Sequence, residues 1–460
     1  MDWLALGFVV ANSHQGLAPQ VQVQRIDRRN FDSMITGQDI IYLSSIEWSF
    51  LWQGHQEIAL RLAAAGNRVL YVENTGVRSP GLHDARRVAL RLKRWAGALG
   101  SQGVREVAPN IHVCSPVVLP PFGPRWRREA NRRLFLPLLL RTAAKLGMRD
   151  PLVWTYLPND TTVELIRLQR RRGSRGLVYY CVADFTQLTP HVEQLEESEN
   201  EIVATSDVVF TNCMELSRKF KPLNPNAHVF PFGVNLDAFP YEYRPSSGQM
   251  RSNGHGRLPR DSKAAAFIGQ LAKPVIGYMG GMHRHVDFGL IREMALRRPD
   301  WSWVCVGALQ SALGDLDGLP NVHLTGERPH SELVDYVRQF DVCIVPYVNS
   351  AYTATVVPTK INEYLAVGKP VVSTALPPVC DFNNEHRILI TTAAEPESFL
   401  TAIGQALAMP GNEATRLRRR RVAELGDWGI RFSEMCRLVE ESMDGAGAEA
   451  RIASKMAAGA

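Results

Sequence analysis

Residues 342–373 read VCIVPYVNSAYTATVVPTKINEYLAVGKPVVS. The apolar run Val342–Pro346 predicts a buried strand, Lys360–Ala366 a short helix opened by Pro358, and Lys369–Ser373 a second buried strand. Strand, helical return and strand make a βαβ unit, the building block of a parallel sheet covered by helices.

The alternation extends outward in both directions. Upstream, Val275–Met279, Trp301–Val306 and Asn321–Leu324 read as strands, with helices at Gly289–Arg297 and Ser331–Arg338; downstream, Arg387–Ile390 is a sixth strand. The first half repeats the architecture. Its strands are predicted at Ile40–Ser44, Arg68–Val72, Ile111–Ser115, Leu152–Thr155, Leu177–Cys181, Val208–Thr211 and His228–Phe232. A helix at Gln56–Ala65 closes on Gly66, and the basic stretch 84–105 reads as an amphipathic helix.

The expected class is α/β, with two doubly wound, Rossmann-like domains facing a cleft and ligands at the carboxyl ends of the strands. The expected divisions are an unstructured extension at 1–37 and an N-terminal acceptor-binding domain at 38–235. A linker at 236–272 surrounds the Ser/Gly/Arg/Pro-rich Tyr243–Lys263 segment, and the C-terminal domain takes 273–425. A helix at 426–445, carrying Trp428, Phe432, Met435 and Leu438, is expected to cross back to the first domain; an Ala/Gly-rich, disordered tail ends the chain at 446–460.

Composition excludes more than it selects. The 460 residues are 45% hydrophobic and 21% charged, ordinary for a globular α/β protein. Seven scattered cysteines (Cys114, Cys181, Cys213, Cys305, Cys343, Cys380 and Cys436) contain no CxxC pair and read as reduced, buried thiols of a cytoplasmic protein. No apolar run reaches the roughly eighteen residues of a membrane span. Net charge is +6, yet residues 84–149 hold fourteen Arg/Lys against Asp84, Glu106 and Glu129. Such a face suits an anionic partner; without a recognisable nucleic-acid motif, no nucleic acid is expected.

Chemistry concentrates in two places. The turn Gly277-Tyr-Met-Gly280-Gly281-Met282 follows a strand and precedes a helix, so Gly280 and Gly281 let backbone amides approach a phosphate. The helix start at Pro358-Thr359 offers free amides, and Lys360 adds a charge able to neutralise a diphosphate. Glu363, three residues on, shares that helix face and can accept from ribose hydroxyls; an intrahelical Lys–Glu pair is the plainer alternative. In the first half, Tyr179–Asp184 is a strand running out at an acid, which suits a general base or merely a cap. Glu47, Trp48, Gln53 and His55 form a polar-aromatic loop suited to a sugar acceptor, although Trp48 also fits a core position. Asp315-Leu-Asp317 mimics a metal-binding DxD but lies in a Gly-rich loop, and His283-Arg-His285 lacks carboxylate or cysteine partners nearby. No metal site is expected, and His283 reads better as facing a phosphate or sugar.

These segments, with Asp341–Tyr347, Trp48–Gln56, Phe232–Phe239, Asn321–Arg328, Trp428 and Arg431, resemble GT-B glycosyltransferases of bacterial surface-polysaccharide assembly. The likeness runs from about Asp39 to Glu441 and includes teichuronic-acid-type transferases and the xanthan glucuronosyltransferase. It implies a nucleotide-sugar donor, with UDP the commonest leaving group. Lys360 would contact the diphosphate, Glu363 the ribose and Gly326-Glu327-Arg328 the base, with Tyr347 and Gly281 along the nucleotide. It also implies Asp184 as base toward a saccharide or polyprenyl-diphosphate-linked acceptor, a cytoplasmic location peripheral to the cell membrane, and contact of residues 84–149 with anionic lipid. One departure stands out. Many retaining relatives carry E-x7-E, but the position eight before Glu363 is Thr355, which leaves stereochemistry open. A UDP-sugar epimerase of similar fold and a non-catalytic sugar-nucleotide-binding module are the alternatives.

Overall fold

The computed structural model describes residues 35–49, 52–73, 104–116, 118–241 and 262–458. They divide into two compact units: the first takes residues up to 231 together with those from 431 on, and the second takes 232–430. Residues 1–34 of the predicted extension, most of the basic stretch 84–105 and the centre of the predicted linker lie outside the described residues; Ile35, at the extension's end, is buried.

The first unit is built on an eight-stranded sheet in the order β3-β4-β2-β1-β5-β6-β7-β8. Its strands are β1 (Asp39–Leu43), β2 (Arg68–Val72), β3 (Val104–Ala108), β4 (Ile111–Cys114), β5 (Leu152–Thr155), β6 (Gly176–Cys181), β7 (Val208–Thr211) and β8 (Ala227–Val229). All pairings are parallel except β3 with β4. Helices cover both faces, so each central strand is apolar along its whole length instead of alternating. The strand β3 departs from expectation. Its residues Val104 and Arg105 close the stretch read as helical, but Asn110, at φ 65°, turns the chain tightly and lays them antiparallel on β4.

The second unit holds a six-stranded, wholly parallel sheet in the order β11-β10-β9-β12-β13-β14. The strands are β9 (Val275–Met279), β10 (Ser302–Val306), β11 (Val322–Gly326), β12 (Val342–Val345), β13 (Val371–Thr374) and β14 (Ile390–Thr392). This is the doubly wound order, with its switch point between β9 and β12. Gly277 sits mid-strand because the Phe340 ring packs directly on it; a Cβ there would come within 2.0 Å of that ring. The sixth strand begins later than expected, since Arg387 takes a left-handed cap (φ 48°) on the Pro377–His386 helix.

Two further boundaries differ. Within the predicted linker, Lys263–Ile268 is a helix capped by Ser262, with Ala264 and Ile268 in the core of the second unit. The last helix, Trp428–Ala458, continues through the segment expected to be disordered, consistent with the high helix propensity of its alanines. From Arg431 on this helix belongs to the first unit, where Ser442 donates to the Asp207 carbonyl at 2.6 Å. Among the described residues no helix is long and apolar enough to cross a membrane.

Candidate functional site

In the second unit three neighbouring strands end on glycine: Gly280 after β9, Gly307 after β10, and Gly326 closing β11. Past these ends the loops continue the ladder. Gly280 N donates to Val306 O (2.9 Å), Gly307 N to Gly326 O (3.0 Å), and Met282 N to Ala308 O (2.8 Å). The approach is so close that a Cβ on Gly307, at φ 150°, would lie 2.0 Å from the Gly280 carbonyl oxygen. One on Gly280, at φ 138°, would lie 2.8 Å from Lys360 Cε. Both positions require glycine for backbone shape and for space.

Lys360 is the cation brought to this edge. It opens the helix Lys360–Ala366 that follows β12, is only 8% exposed, and donates from Nζ to Tyr347 Oη. Its ammonium also lies 4.7 Å from the Tyr347 ring centroid and 5.1 Å from that of Tyr278. Tyr364, one helical turn on, fixes the helix to β9: Met279 N donates to its hydroxyl at 2.7 Å. Ile361 N and Asn362 N donate to Pro358 O and Thr359 O, so Pro358 and Thr359 form a tightly wound first turn. Glu363 is half-buried, and burial pushes its carboxyl above the usual range, with His330 and Lys360 opposing. Glu327 is exposed just beyond β11.

His283 lies on the other side of the glycine turn. Val286 bridges antiparallel to Tyr347, and Val348 N donates to His285 O, which holds residues 283–286 against the loop after β12. Burial, the Lys360 ammonium, His285 and Arg284 hold His283 down to about 3. The ring is therefore neutral near pH 7. Its Nδ1 accepts the His285 N–H at 3.2 Å, which puts the proton on Nε2 and makes that atom a donor.

The sequence-predicted residues of the first unit fare unevenly. Asp184 lies just past β6 as expected, but it also caps the turn Phe185–Leu188. Its carboxylate accepts from Thr186 N (3.1 Å), Thr186 Oγ1 (2.7 Å) and Gln187 Nε2 (3.3 Å). Trp48 and His55, expected to line an acceptor loop, are core residues. Trp48 is 8% exposed and stands edge-on to Tyr71, and its backbone N–H donates to the buried Glu73 carboxylate. His55 is 2% exposed, with its ring 4.0 Å from that of Tyr156. Gln53 holds the start of helix Gly54–Ala64 through a Gln53 N to Gln56 Oε1 bond, leaving Glu47 as the half-exposed acid of that loop.

Sequence reading missed Gly307, Tyr278, Tyr364 and Glu73. The signal for Gly307 was present, since three successive predicted strands each run into a glycine; the tyrosines looked like ordinary core residues. Asp315 lies within the single turn Gly314–Leu316 and Asp317 caps its end, while Leu316 is buried.

Comparison with known proteins bears on the second unit most directly. Residues 273–409 match the family model described as glycosyl transferases group 1. The putative teichuronic acid biosynthesis glycosyltransferase TuaH of Bacillus subtilis is 34% identical over 166 residues, 35% of this chain and 42% of that one, so less than half the relative's length is matched. Among solved structures, sucrose-phosphate synthase from Thermosynechococcus elongatus superposes with a TM-score of 0.63 at 17% identity, covering 89% of this chain and 100% of the other. HepE of Anabaena, in complex with UDP and glucose, gives 0.59 at 15%, covering 88% and 100%. These likenesses establish the fold. The chain has the GT-B fold of two parallel-sheet units, and its residues 273–409 match the glycosyl transferases group 1 model.

Proposed function

We propose that this protein is a glycosyltransferase moving a sugar from a UDP-sugar to a hydroxyl of a saccharide or polyprenyl-diphosphate-linked saccharide in surface-polysaccharide synthesis. The carrying observation is the edge where the glycine turn after β9 packs directly on Gly307 beside the buried Lys360 ammonium, an arrangement suited to a diphosphate. The family match over 273–409 and the UDP complex of the Anabaena neighbour support the same assignment.

In this reading Glu327 borders the base, Glu363 the ribose, and Gly280, Gly281, Pro358, Thr359 and Lys360 the diphosphate, with Tyr347 holding the lysine in place. His283 donates from Nε2 to the departing group. Asp184 takes the proton from the acceptor hydroxyl as its oxygen attacks the anomeric carbon. The bond from that carbon to the diphosphate oxygen breaks, and Lys360 with the backbone amides receives the charge without requiring a metal ion. Glu47 and Gln53 remain as polar contacts for the acceptor. The enzyme works in the cytoplasm at the inner face of the membrane, where its lipid-linked acceptor lies and where the basic stretch 84–149 meets anionic headgroups.

The test is a thermal-shift screen with nucleotides, followed by incubation with UDP-sugars and no acceptor. A rise in Tm with UDP and slow UDP release support transfer. An epimerised UDP-sugar would replace this reading with an isomerase.

A further inference from the structure

In the first unit, Arg125–Ala130, the π-helical turn Asn131–Phe135 and Leu136–Lys145 follow one another without a break. The widened turn has a local cause. Pro137 has no N–H to continue the ordinary ladder, and Leu136 N reaches back five residues to Asn131 O. Buried Phe135, Leu136, Leu139 and Leu140 hold one face of this rod against the protein.

On the opposite face two large apolar side chains stand in solvent: Trp126 is 60% exposed and Leu134 74%. In a regular helix residues eight apart diverge by about 80° around the axis. The wider π-turn lowers the rotation per residue across Asn131–Leu134, so the two positions come closer to one line than a regular helix would bring them. The turn thus brings the exposed tryptophan and leucine toward one line. Around them lie Arg125, Arg127, Arg128, Arg132 and Arg133, with Glu129, paired to the last two, as the only acid from 125 to 134.

We propose that Trp126 and Leu134 are the insertion anchors of a monotopic membrane-docking helix, and that the surrounding arginines select a bilayer rich in anionic headgroups. Aromatic and aliphatic anchors on one line, flanked by cations at headgroup height, fit an interface between water and acyl chains. The same arginines without apolar anchors would suit a soluble acidic polymer; two aligned, solvated anchors favour lipid. This deepens the membrane contact proposed above and rests on it.

The test is flotation of the full chain with vesicles of phosphatidylcholine alone or mixed with phosphatidylglycerol. Wild type should float with the anionic vesicles and stay behind with the neutral ones. Trp126→Ser and Leu134→Ser should each weaken partitioning about tenfold, with unchanged Tm because both side chains are already exposed. Arg128→Gln with Arg132→Gln should instead erase the preference for anionic lipid. Wild type floating while the Trp126→Ser, Leu134→Ser double variant floats equally well would overturn the anchor assignment and leave the membrane contact standing. Wild type failing to float, or held only by a soluble acidic polysaccharide or by a second copy of itself, would overturn both.

Discussion

The two sheets share a winding order about their switch points but finish their carboxyl edges in opposite ways. Beyond β1 of the first unit the edge is filled. Ser44 Oγ meets Tyr71 Oη at 2.7 Å, Trp48 stands on Tyr71, and Tyr42 Oη joins Tyr156 Oη at 2.7 Å under the His55 ring. Beyond β9 of the second unit side chains are withdrawn, glycine backbones touch, and one lysine is held among tyrosines. The diphosphate site proposed above uses the edge at which side chains give way to backbone and one buried ammonium. In the mechanism proposed above, the filled edge leaves chemistry to Asp184, which stands just past β6.

Glycine substitution should break this comparison most severely. Gly307→Ala drives a Cβ into the Gly280 carbonyl, where no flexible side chain can yield, and we expect a loss of about 3 kcal/mol in stability together with the UDP-induced Tm rise. Gly66→Ala in the first unit also strains a positive φ, 91°, but meets nothing within 4 Å. It should cost only about 1–2 kcal/mol and leave the response to UDP intact. Denaturant midpoints with and without UDP measure both. Equal effects would mean that the packed strand ends are not a specific feature of the second unit.

A pair of polar substitutions sharpens the same contrast at the level of chemistry. Asp184→Asn keeps the cap geometry while removing the base, so transfer should fall about 10²–10⁴-fold with UDP binding unchanged. Lys360→Met keeps the stem but removes the charge, so UDP affinity should fall about 10–100-fold. Transfer rates and UDP titrations on both variants separate the roles. Loss of UDP binding in Asp184→Asn, or full transfer activity there, would remove the base from the first unit.

Much of the second unit was legible because long apolar runs bounded by Gly and Pro carry their own punctuation. The strand Val275–Met279 and the helix Lys360–Ala366 coincide with their predicted limits. Strand β3 was not legible, since its charged residues pair across a tight turn and no periodicity announces that. Gly280, Lys360, Tyr347 and His283 lie together at one strand edge, and each was legible because glycine, lysine and strand ends are local signals. Trp48 and His55 were misread for a physical reason: polar-aromatic side chains suit a binding loop and a hydrogen-bonded core equally, and only packing separates them. The same ambiguity hid Glu73, an acid at a strand end that serves the core by accepting from Trp48 N.

The two histidines of these edges supply the smallest and most discriminating contrast. Burial holds His55 down to about 3, and burial aided by Lys360 does the same for His283. Unfolded, each ring titrates near 6.5, so between about pH 3 and 6.5 the unfolded chain binds protons that the folded one refuses. Stability therefore rises with pH through that window and is flat above it. His55 is sealed under Tyr156, whereas His283 is half-buried at an open edge where solvent screens its charge. His55→Gln should flatten the fall in Tm between about pH 7 and about pH 5 more than His283→Gln does, whatever either does to Tm at neutral pH. A larger flattening from His283→Gln would mean that the second unit's edge is the more tightly closed, reversing the assignment of filled and open edges.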